Sequence, residues 1–384
     1  MFDQIQRGEA NANGPTAIIR MKQYRNIATF VLVGIFLFSG LIKLNDPIGT
    51  QLKLEEYFEV FSVDFPWMAG FWKLLIPQAL LFSIGLSSAE IVLAIALALN
   101  YKTNKTLYSF VGILIFFSFL TFYSAYFNKV TDCGCFGEAI KLTPWTSFSK
   151  DIFLLVLTLS LFLTDKIKQS RATGKWVIAS TLLSVGLGTY CYFYLPLQDG
   201  LPYAVGQHIP SNMKNREDLK FSYIYKIDGK DVELAEMPTD PKAEFVSMQA
   251  INEKEARPLI TDYRLWIDGD TTDYTQKIFS GDHLLVIVPN VHHTRLAAFE
   301  TISQLAKTVK IPVWLVSASS DADVNALRHE YQLAFPALSA DTKVLKTIIR
   351  SSPGLWLISQ GTVKGKWSAY RLPNADEIQQ HIKQ

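Results

Sequence analysis

The residues best suited to redox chemistry are Cys133 and Cys135, which are separated only by Gly134. Two thiols at this spacing can close a small disulfide ring, and the glycine relieves the backbone strain of closing it. A strained, exposed disulfide is easier to reduce than a structural one, so the pair would oxidise the thiols of other proteins. The alternative is a purely structural disulfide within the loop. A ring this small removes little conformational entropy from the unfolded chain, so it would stabilise the fold little. A metal site would need more ligands than this loop provides.

Long apolar segments on both sides of the two cysteines predict a membrane protein. The chain has 384 residues, of which 49% are hydrophobic and 19% charged, below the roughly 25% charge of an average soluble domain. A helix needs about 20 mostly apolar residues to cross the hydrocarbon of a bilayer. Five segments approach that length: 26–43, 74–99, 107–127, 150–165 and 175–195.

Lysine and arginine in the short loops predict the orientation, because cytoplasmic loops carry an excess of both. The basic clusters lie at 20–25, 102–105 and 166–175. If all five segments span, these clusters share one side, which we expect to be the cytoplasm. The cysteine loop and everything after 196 would then face the periplasm from a bacterial inner membrane, where disulfides are stable.

The predicted organisation follows from this orientation. It comprises a cytoplasmic tail over 1–24, a four-helix membrane domain over 25–166, a fifth membrane helix over 175–195 and a periplasmic domain over 207–384. Met21, which precedes Lys22 and Arg25, is a candidate for the true start. The net charge of +2 gives no reason to expect a nucleic-acid partner, so the predicted partners are the lipid bilayer and a periplasmic client protein.

The predicted outer loop 44–73 is more than a linker. Leu54, Tyr57 and Phe58 alternate with charged residues, as in a short amphipathic helix at a membrane surface. Trp67 and Trp72 follow, as in an interfacial aromatic belt.

Glu90 lies inside the second predicted span. An ionisable side chain at that depth costs about 2.5–3.5 kcal/mol on insertion scales, so it must face the interior of the bundle. There it would accept a proton or contact a quinone head group. The alternative, which we prefer from the residues alone, is a helix–helix hydrogen bond to Ser87, Ser118 or Thr121.

Lys43 and Asp46 end the first predicted span on its outer side. We expect Lys43 to extend to the membrane interface; the alternatives are a pair with Asp132 or stabilisation of a cysteine thiolate. Asp46 and Pro47 are interpreted as the turn that begins the outer loop.

After 196 the pattern changes to that of a soluble α/β domain with a mixed sheet. Hairpins are predicted around Asp228-Gly229 and Gln360-Gly361. Between them, the apolar runs 283–288 and 312–317 predict buried strands. The segments 292–307, 321–331 and 375–382 predict helices.

The membrane part resembles the DoxX/MauE superfamily of four-helix membrane proteins over about 25–165. The resemblance is carried by Phe38-Ser39-Gly40-Leu41-Ile42-Lys43-Leu44-Asn45-Asp46-Pro47, by Glu55-Glu56-Tyr57-Phe58, by Glu90 and by Cys133-Gly134-Cys135-Phe136-Gly137. MauE-like proteins are tied to the maturation of periplasmic methylamine dehydrogenase, which is rich in disulfides. The wider group shares its plan with vitamin K epoxide reductase, which passes electrons from thiols to a quinone. The resemblance thus implies a maturation role and a quinone cofactor.

The part from about 255 to 384 resembles a thioredoxin-like domain, with Pro353 at the position of that fold's cis-proline. Thioredoxins carry Cys-x-x-Cys after the strand that corresponds to 283–288, but this chain has Pro289-Asn290-Val291-His292-His293 there. No cysteine follows Cys191, so this domain cannot exchange dithiols itself. The combination of both parts resembles DoxX-type proteins of the Bacteroidetes.

Three further residues carry weaker signals. Cys191 is interpreted as a small apolar side chain that fills space in the fifth predicted span. The alternative is a resolving thiol that reacts with Cys135. His292 and His293 point about 100° apart on a helix, which makes them a poor metal pair. Two function hypotheses remain: a thiol oxidoreductase that uses the cysteine loop, and a non-catalytic envelope assembly factor that docks partners on the outer domain.

Overall fold

A computed structural model gives the architecture of the chain. It describes residues 15–130, 134, 137, 142–164, 173–227, 229–238 and 243–384, apart from the side chains of 15–18 and 254. Internal contacts divide the chain into two units, Met1–Gly200 and Leu201–Gln384.

The described part of the first unit is helical. Its α-helices are α1 (Pro15–Asn45), α2 (Pro47–Asp64), α3 (Ala69–Leu75), α4 (Ala79–Ala98), α5 (Thr103–Phe127), α6 (Pro144–Leu161) and α7 (Gly174–Tyr194). Short 3₁₀ turns at Pro66–Met68 and Ile76–Gln78 join α2, α3 and α4 into one nearly continuous path.

The core of this unit draws on four helices. Buried apolar side chains from α1, α4, α5 and α6 form one cluster: Ala28, Leu32, Phe36, Ala94, Leu97, Leu107, Phe110, Leu114, Leu154 and Leu161. α1 packs along α4, and α5 packs along α6, while α7 lies against α4. The arrangement is a four-helix bundle with one additional helix beside it.

Four helices in the described ranges are long and apolar enough to cross a membrane: Ile19–Asn45, Pro66–Ala98, Thr103–Phe127 and Gly174–Tyr194. The chain is therefore a multi-pass membrane protein. The predicted span 150–165 is not among them, so a fifth crossing is not shown. Residues 150–161 of this segment lie in α6, whose first two turns include Lys150 and Asp151.

Close backbone packing fixes α1 and α7 against α4. A side chain on Gly40 of α1 would come within 2.7 Å of Ile91 and 2.9 Å of the Ser87 carbonyl oxygen. A side chain on Gly188 of α7 would come within 3.2 Å of Ile84 on α4 and within 2.8 Å of Leu44 on α1. Small residues allow such approach between membrane helices, where van der Waals packing drives association.

The predicted amphipathic helix is α2, which begins after the Asp46 cap. Asp46 Oδ1 accepts a hydrogen bond from the Gly49 amide at 2.9 Å, and Pro47 occupies the first turn. The helix buries its apolar face in the bundle, with Leu54, Phe58 and Phe61 on the buried side. The turn expected at Asp46-Pro47 is thus a helix cap.

The second unit contains two sheets. Its helices are α8 (Ile209–Asn212), α9 (Glu253–Ala256), α10 (Tyr274–Phe279), α11 (Ala298–Thr308), α12 (Asp321–Glu330), α13 (Thr342–Ile348) and α14 (Ala375–Lys383). Its strands are β1 (Phe221–Ile227), β2 (Lys230–Leu234), β3 (Glu244–Ala250), β4 (Asp282–Val288), β5 (Val313–Ser317), β6 (Ala337–Ser339), β7 (Gly354–Ser359) and β8 (Thr362–Ser368).

The larger sheet is mixed, as predicted. Its order is β6-β5-β4-β7-β8, with β4, β5 and β6 parallel and β7 and β8 antiparallel. β4 lies at the centre and is apolar on both faces, because helices and turns cover both. The Ser352–Pro353 peptide bond at the start of β7 is cis.

Both predicted hairpins form, β1 with β2 and β7 with β8. Gln360 and Gly361 both have positive φ, as a two-residue hairpin turn requires. The predicted helix 292–307 is wrong at its start. Val291–His293 forms a 3₁₀ turn that Asn290 caps, and α11 begins only at Ala298.

Candidate functional site

A small cavity lies inside the first unit, beneath the glycine of the cysteine loop. It encloses about 40 Å³ between α1, α2, α4 and α5. Its lining comprises Lys43, Thr50, Lys53, Leu54, Tyr57, Leu86, Ser87, Glu90, Phe117, Leu120, Thr121 and Gly134. We call it the Glu90 cavity. The structure thus brings together three residues that the sequence singled out separately: Lys43, Glu90 and Gly134.

Lys43 and Glu90 form a buried ion pair on the cavity wall. Lys43 Nζ lies 2.6 Å from Glu90 Oε1, and the two side chains are 8% and 2% exposed. Lys43 Nζ also lies 4.6 Å from the centroid of the Phe117 ring. The expectation that Lys43 extends to the interface is therefore wrong. The Glu90 carboxylate supplies a counter-charge inside the bundle. The ammonium group of Lys43 therefore pairs with it there and does not extend to water.

The second carboxylate oxygen of Glu90 has no partner among the described residues. Glu90 Oε2 is buried and makes no hydrogen bond to them, and the same holds for Thr50 Oγ1, whose residue also lines the cavity. Ser87 Oγ, which we considered as a partner for Glu90, donates instead to the Ser83 carbonyl at 2.7 Å. The expected helix–helix bond to Ser87, Ser118 or Thr121 is thus replaced by the lysine pair.

A second buried carboxylate lies behind the wall. Asp151 of α6 is 2% exposed, and its Oδ2 lies 3.1 Å from Thr121 Oγ1, whose residue lines the cavity. Its Oδ1 lies 2.9 Å from Lys150 Nζ. Thr121 therefore separates the Glu90 cavity from a second acid–base pair.

Two tyrosines connect α2 to α5. The Tyr57 hydroxyl lies 2.8 Å from Ser124 Oγ. The Tyr123 hydroxyl donates to Asp64 Oδ2, and Lys129 Nζ lies 3.3 Å from Asp64 Oδ1. The tyrosine hydrogen bond first, and the lysine after it, hold the pKa of Asp64 below its ordinary value.

Gly134 and Gly137 are the described residues of the cysteine loop. Both have positive φ, +63° and +54°, and the Gly137 amide donates to the Gly134 carbonyl at 3.0 Å. A side chain on Gly134 would come within 3.0 Å of Lys53 Cγ. Glycine is required at 134 because the turn is left-handed and the lysine stem is close. Cys133, Cys135 and Phe136 lie outside the described residues.

The remaining predicted residues lie elsewhere. Cys191 is a buried thiol outside any disulfide among the described residues. His292 and His293 are exposed, and His292 Nε2 lies 3.4 Å from Asp323 Oδ1. Pro353 and its cis bond belong to the second unit. Across the parts of the chain that the structure describes, no cluster of three His, Cys, Asp or Glu side chains could hold a metal.

The buried His283 of β4 is structural. Its Nδ1 accepts from Trp314 Nε1 at 3.0 Å, which leaves Nε2 to donate to the Ser280 carbonyl at 3.0 Å. Both ring nitrogens are thus used, and the neutral tautomer is fixed.

Sequence reasoning missed Thr50, Lys53 and Asp151. A signal existed for Asp151, since a carboxylate beside the apolar run 152–163 must be paired or turned inward. Thr50 and Lys53 carry no such signal, because their role depends on α2 folding into the bundle.

The candidate site lies in a segment of the chain that matches a known protein family. Residues 21–164 match the model of the family described as methylamine utilisation protein MauE. The match covers well under half of the chain but includes every residue that lines the Glu90 cavity. A search of curated proteins finds no match for the chain. The segment that carries the candidate site is therefore a MauE-like membrane module.

Proposed function

We propose that this chain is an inner-membrane thiol–disulfide redox or maturation factor for periplasmic proteins, with Cys133 and Cys135 as the working pair. One observation carries the proposal: Gly134, the residue between the cysteines, lines the same cavity as the buried pair Lys43 and Glu90. A loop that only staples two helices would not need ionised groups beneath it. The similarity of this segment to MauE supports the same class of function.

The proposed reaction is exchange between a client dithiol and the loop disulfide. A client thiolate attacks one loop sulfur, which breaks the Cys133–Cys135 bond and forms a mixed disulfide. The second client thiolate then attacks the client sulfur and releases the loop. The client loses two electrons and two protons and gains a disulfide, and the loop takes up both as two thiols.

The topology is part of the proposal. We assign α6 as a further crossing, because it shares one buried core with α1, α4 and α5 and its 18 residues span about 27 Å. The N-terminus is then cytoplasmic, and the cysteine loop and the second unit are periplasmic. Cysteine accessibility to an impermeant reagent in whole cells checks this side assignment.

The resemblance implies a quinone, but we do not assign its site to the Glu90 cavity. The 40 Å³ open to water in this cavity has room for a few water molecules. Glu90 and Lys43 are also already bonded to each other. No step of the proposed exchange is therefore assigned to a quinone.

The experiment is a thiol-alkylation mass shift on native membranes, with and without reductant. We expect Cys133 and Cys135 to be partly oxidised and to change when client oxidation is blocked. The double variant Cys133→Ser/Cys135→Ser should leave periplasmic thiols reduced, whereas Cys191→Ser serves as the matched control and should not. A loop that resists mild reductant, or a double variant with normal periplasmic thiols, would contradict the proposal.

The second candidate is a non-catalytic docking role for the second unit, which we propose to be thioredoxin-like over about 255–384. The mixed sheet and the cis bond before Pro353 support this fold assignment. The absence of any cysteine after Cys191 argues against dithiol chemistry in this unit. The edge strand β3 exposes Phe245, Val246 and Met248, which a partner protein would cover.

The docking role makes a distinct prediction. Deletion of 207–384 should be as damaging as loss of the whole protein, while Cys133→Ser should have no effect. A truncated chain that behaves as wild type would rule out docking.

A further inference from the structure

The Glu90 cavity contains two buried polar atoms that the described residues leave without a partner, Glu90 Oε2 and Thr50 Oγ1. Their residues lie on different helices, α4 and α2, and both line the same space. An unsatisfied carboxylate oxygen away from water is costly, so two unpaired atoms whose residues line one cavity indicate a ligand within it. The ligand must donate a hydrogen bond to the glutamate.

The size of the cavity limits what that ligand is. Its 40 Å³ exceeds the roughly 10–15 Å³ that one buried water needs and accommodates two or three waters. The walls supply the polar partners that such waters need, with hydroxyls of Thr50, Ser87 and Tyr57 beside the Lys43–Glu90 pair. Water is therefore the ligand that fits both the volume and the chemistry.

We propose that the Glu90 cavity holds a small water cluster and that Glu90 exchanges protons through it with the face of the bundle on which Gly134 lies. A proton passes from a cavity water to Glu90 Oε2, and that water is reprotonated by the next one toward the rim. The rim is formed by Lys53, whose side chain is 26% exposed, and by the partly exposed Gly134. This inference concerns the described residues alone and holds whether or not the cysteine pair is redox-active.

The charged and titratable groups around Glu90 support the exchange. Lys43 of α1, whose Nζ lies 2.6 Å from Glu90 Oε1, is the counter-charge of the carboxylate. Lys53 and Tyr57 of α2 also line the cavity, and Thr121 of α5 connects to Asp151 of α6. When Glu90 takes up a proton, the Phe117 ring still contacts the Lys43 ammonium and offsets part of its lost attraction.

Infrared spectroscopy of the full-length protein in lipid nanodiscs tests the proposal. A carboxyl C=O band should grow as the pH is lowered and should shift on transfer to deuterium oxide, since water reaches Glu90. The band should be lost in Glu90→Gln. It should remain in Asp151→Asn, the matched control for a buried carboxylate that does not line the cavity.

Two further variants keep the test decisive if Glu90→Gln fails to fold. Leu86→Phe fills the cavity with carbon, and Thr50→Val removes one water partner, while both retain the ion pair. Each should slow deuterium exchange at the Glu90 band, and Ser88→Ala, a buried serine of the same helix outside the cavity, should not. Exchange at the wild-type rate in both variants, or no exchanging band that Glu90→Gln removes, would overturn the proposal. Neither result depends on client oxidation, so this failure is distinguishable from failure of the redox function.

Discussion

Replacing Lys43 with methionine is the sharpest test of the packing described above. The change keeps the length and the apolar stem of the side chain but leaves Glu90 as a buried charge without a counter-charge. At 2.6 Å and an effective dielectric constant of about 20, the Coulomb attraction between the two groups is about 6 kcal/mol. Much of this offsets the desolvation of both ions, and removal of one partner from a buried pair costs about 3–5 kcal/mol.

The matched control is Lys53→Met on α2, since Lys53 lines the same cavity. Lys53 Nζ lies 3.2 Å from Glu56, but these side chains are 26% and 38% exposed. Water screens such a pair, so the expected cost is only about 0.2–1 kcal/mol. The double variant Lys43→Met/Glu90→Leu removes both charges and should recover most of the loss.

The assay is reversible unfolding of each variant in mixed micelles, compared as free energies of unfolding at one pH. The reasoning is refuted if Lys43→Met destabilises the protein no more than Lys53→Met does. It is also refuted if the double variant is as unstable as the sum of its two single changes. Either result would mean that Lys43 reaches water and that the ion pair is not buried in solution.

Three further outcomes are expected. Gly40→Ala should destabilise the bundle by about 1–3 kcal/mol in the same unfolding assay, because its new methyl group would lie 2.7 Å from Ile91; Gly34→Ala on the same helix meets no atom within 4 Å and should not. Gly134→Ala should cost about 1–2 kcal/mol, because φ is +63° there, and a wild-type midpoint would contradict this. Asp64→Asn should be less stable than wild type at neutral pH. That gap should close as the pH falls below about 4, since the lowered pKa of Asp64 stabilises the fold only while the carboxylate is ionised; a gap independent of pH would contradict it.

The hydrophobic pattern predicted most of the helices, because a membrane-crossing segment needs a long apolar run whatever it packs against. The prediction was weakest at α6. Its polar first turns, with Lys150 and Asp151, lower its apolar content below that of a clear span. Those turns are tolerated because Asp151 bonds to Thr121 on the neighbouring helix. A local stretch of sequence cannot reveal this contact, because the two residues lie on different helices.

The ion pair of the candidate site was also unpredictable from the local sequence, because its two residues lie on different helices. Glu90 and Lys43 stood out from their positions in apolar segments, but the residues lie 47 positions apart in the chain. Their pairing depends on the rotation of two helices about their axes. Gly40 lets these helices approach closely. In the second unit, the hairpins were predictable from their turns. The edge strand β3 was not, because its exposed apolar residues show no alternation.

The position of α2 in the chain has a consequence for biogenesis. Its polar partners are translated after it: Ser83, which donates to the Pro47 carbonyl, follows by 36 residues, and Ser124, which contacts Tyr57, follows by 67. Until the helices of these two serines are synthesised, the apolar face of α2 with Leu54 and Phe58 lacks the part of the bundle that buries it in the folded protein. Lys43 likewise lacks Glu90, its partner in the folded protein, until 47 further residues have been added. The nascent chain thus acquires its central ion pair only when the second hydrophobic segment enters the translocon.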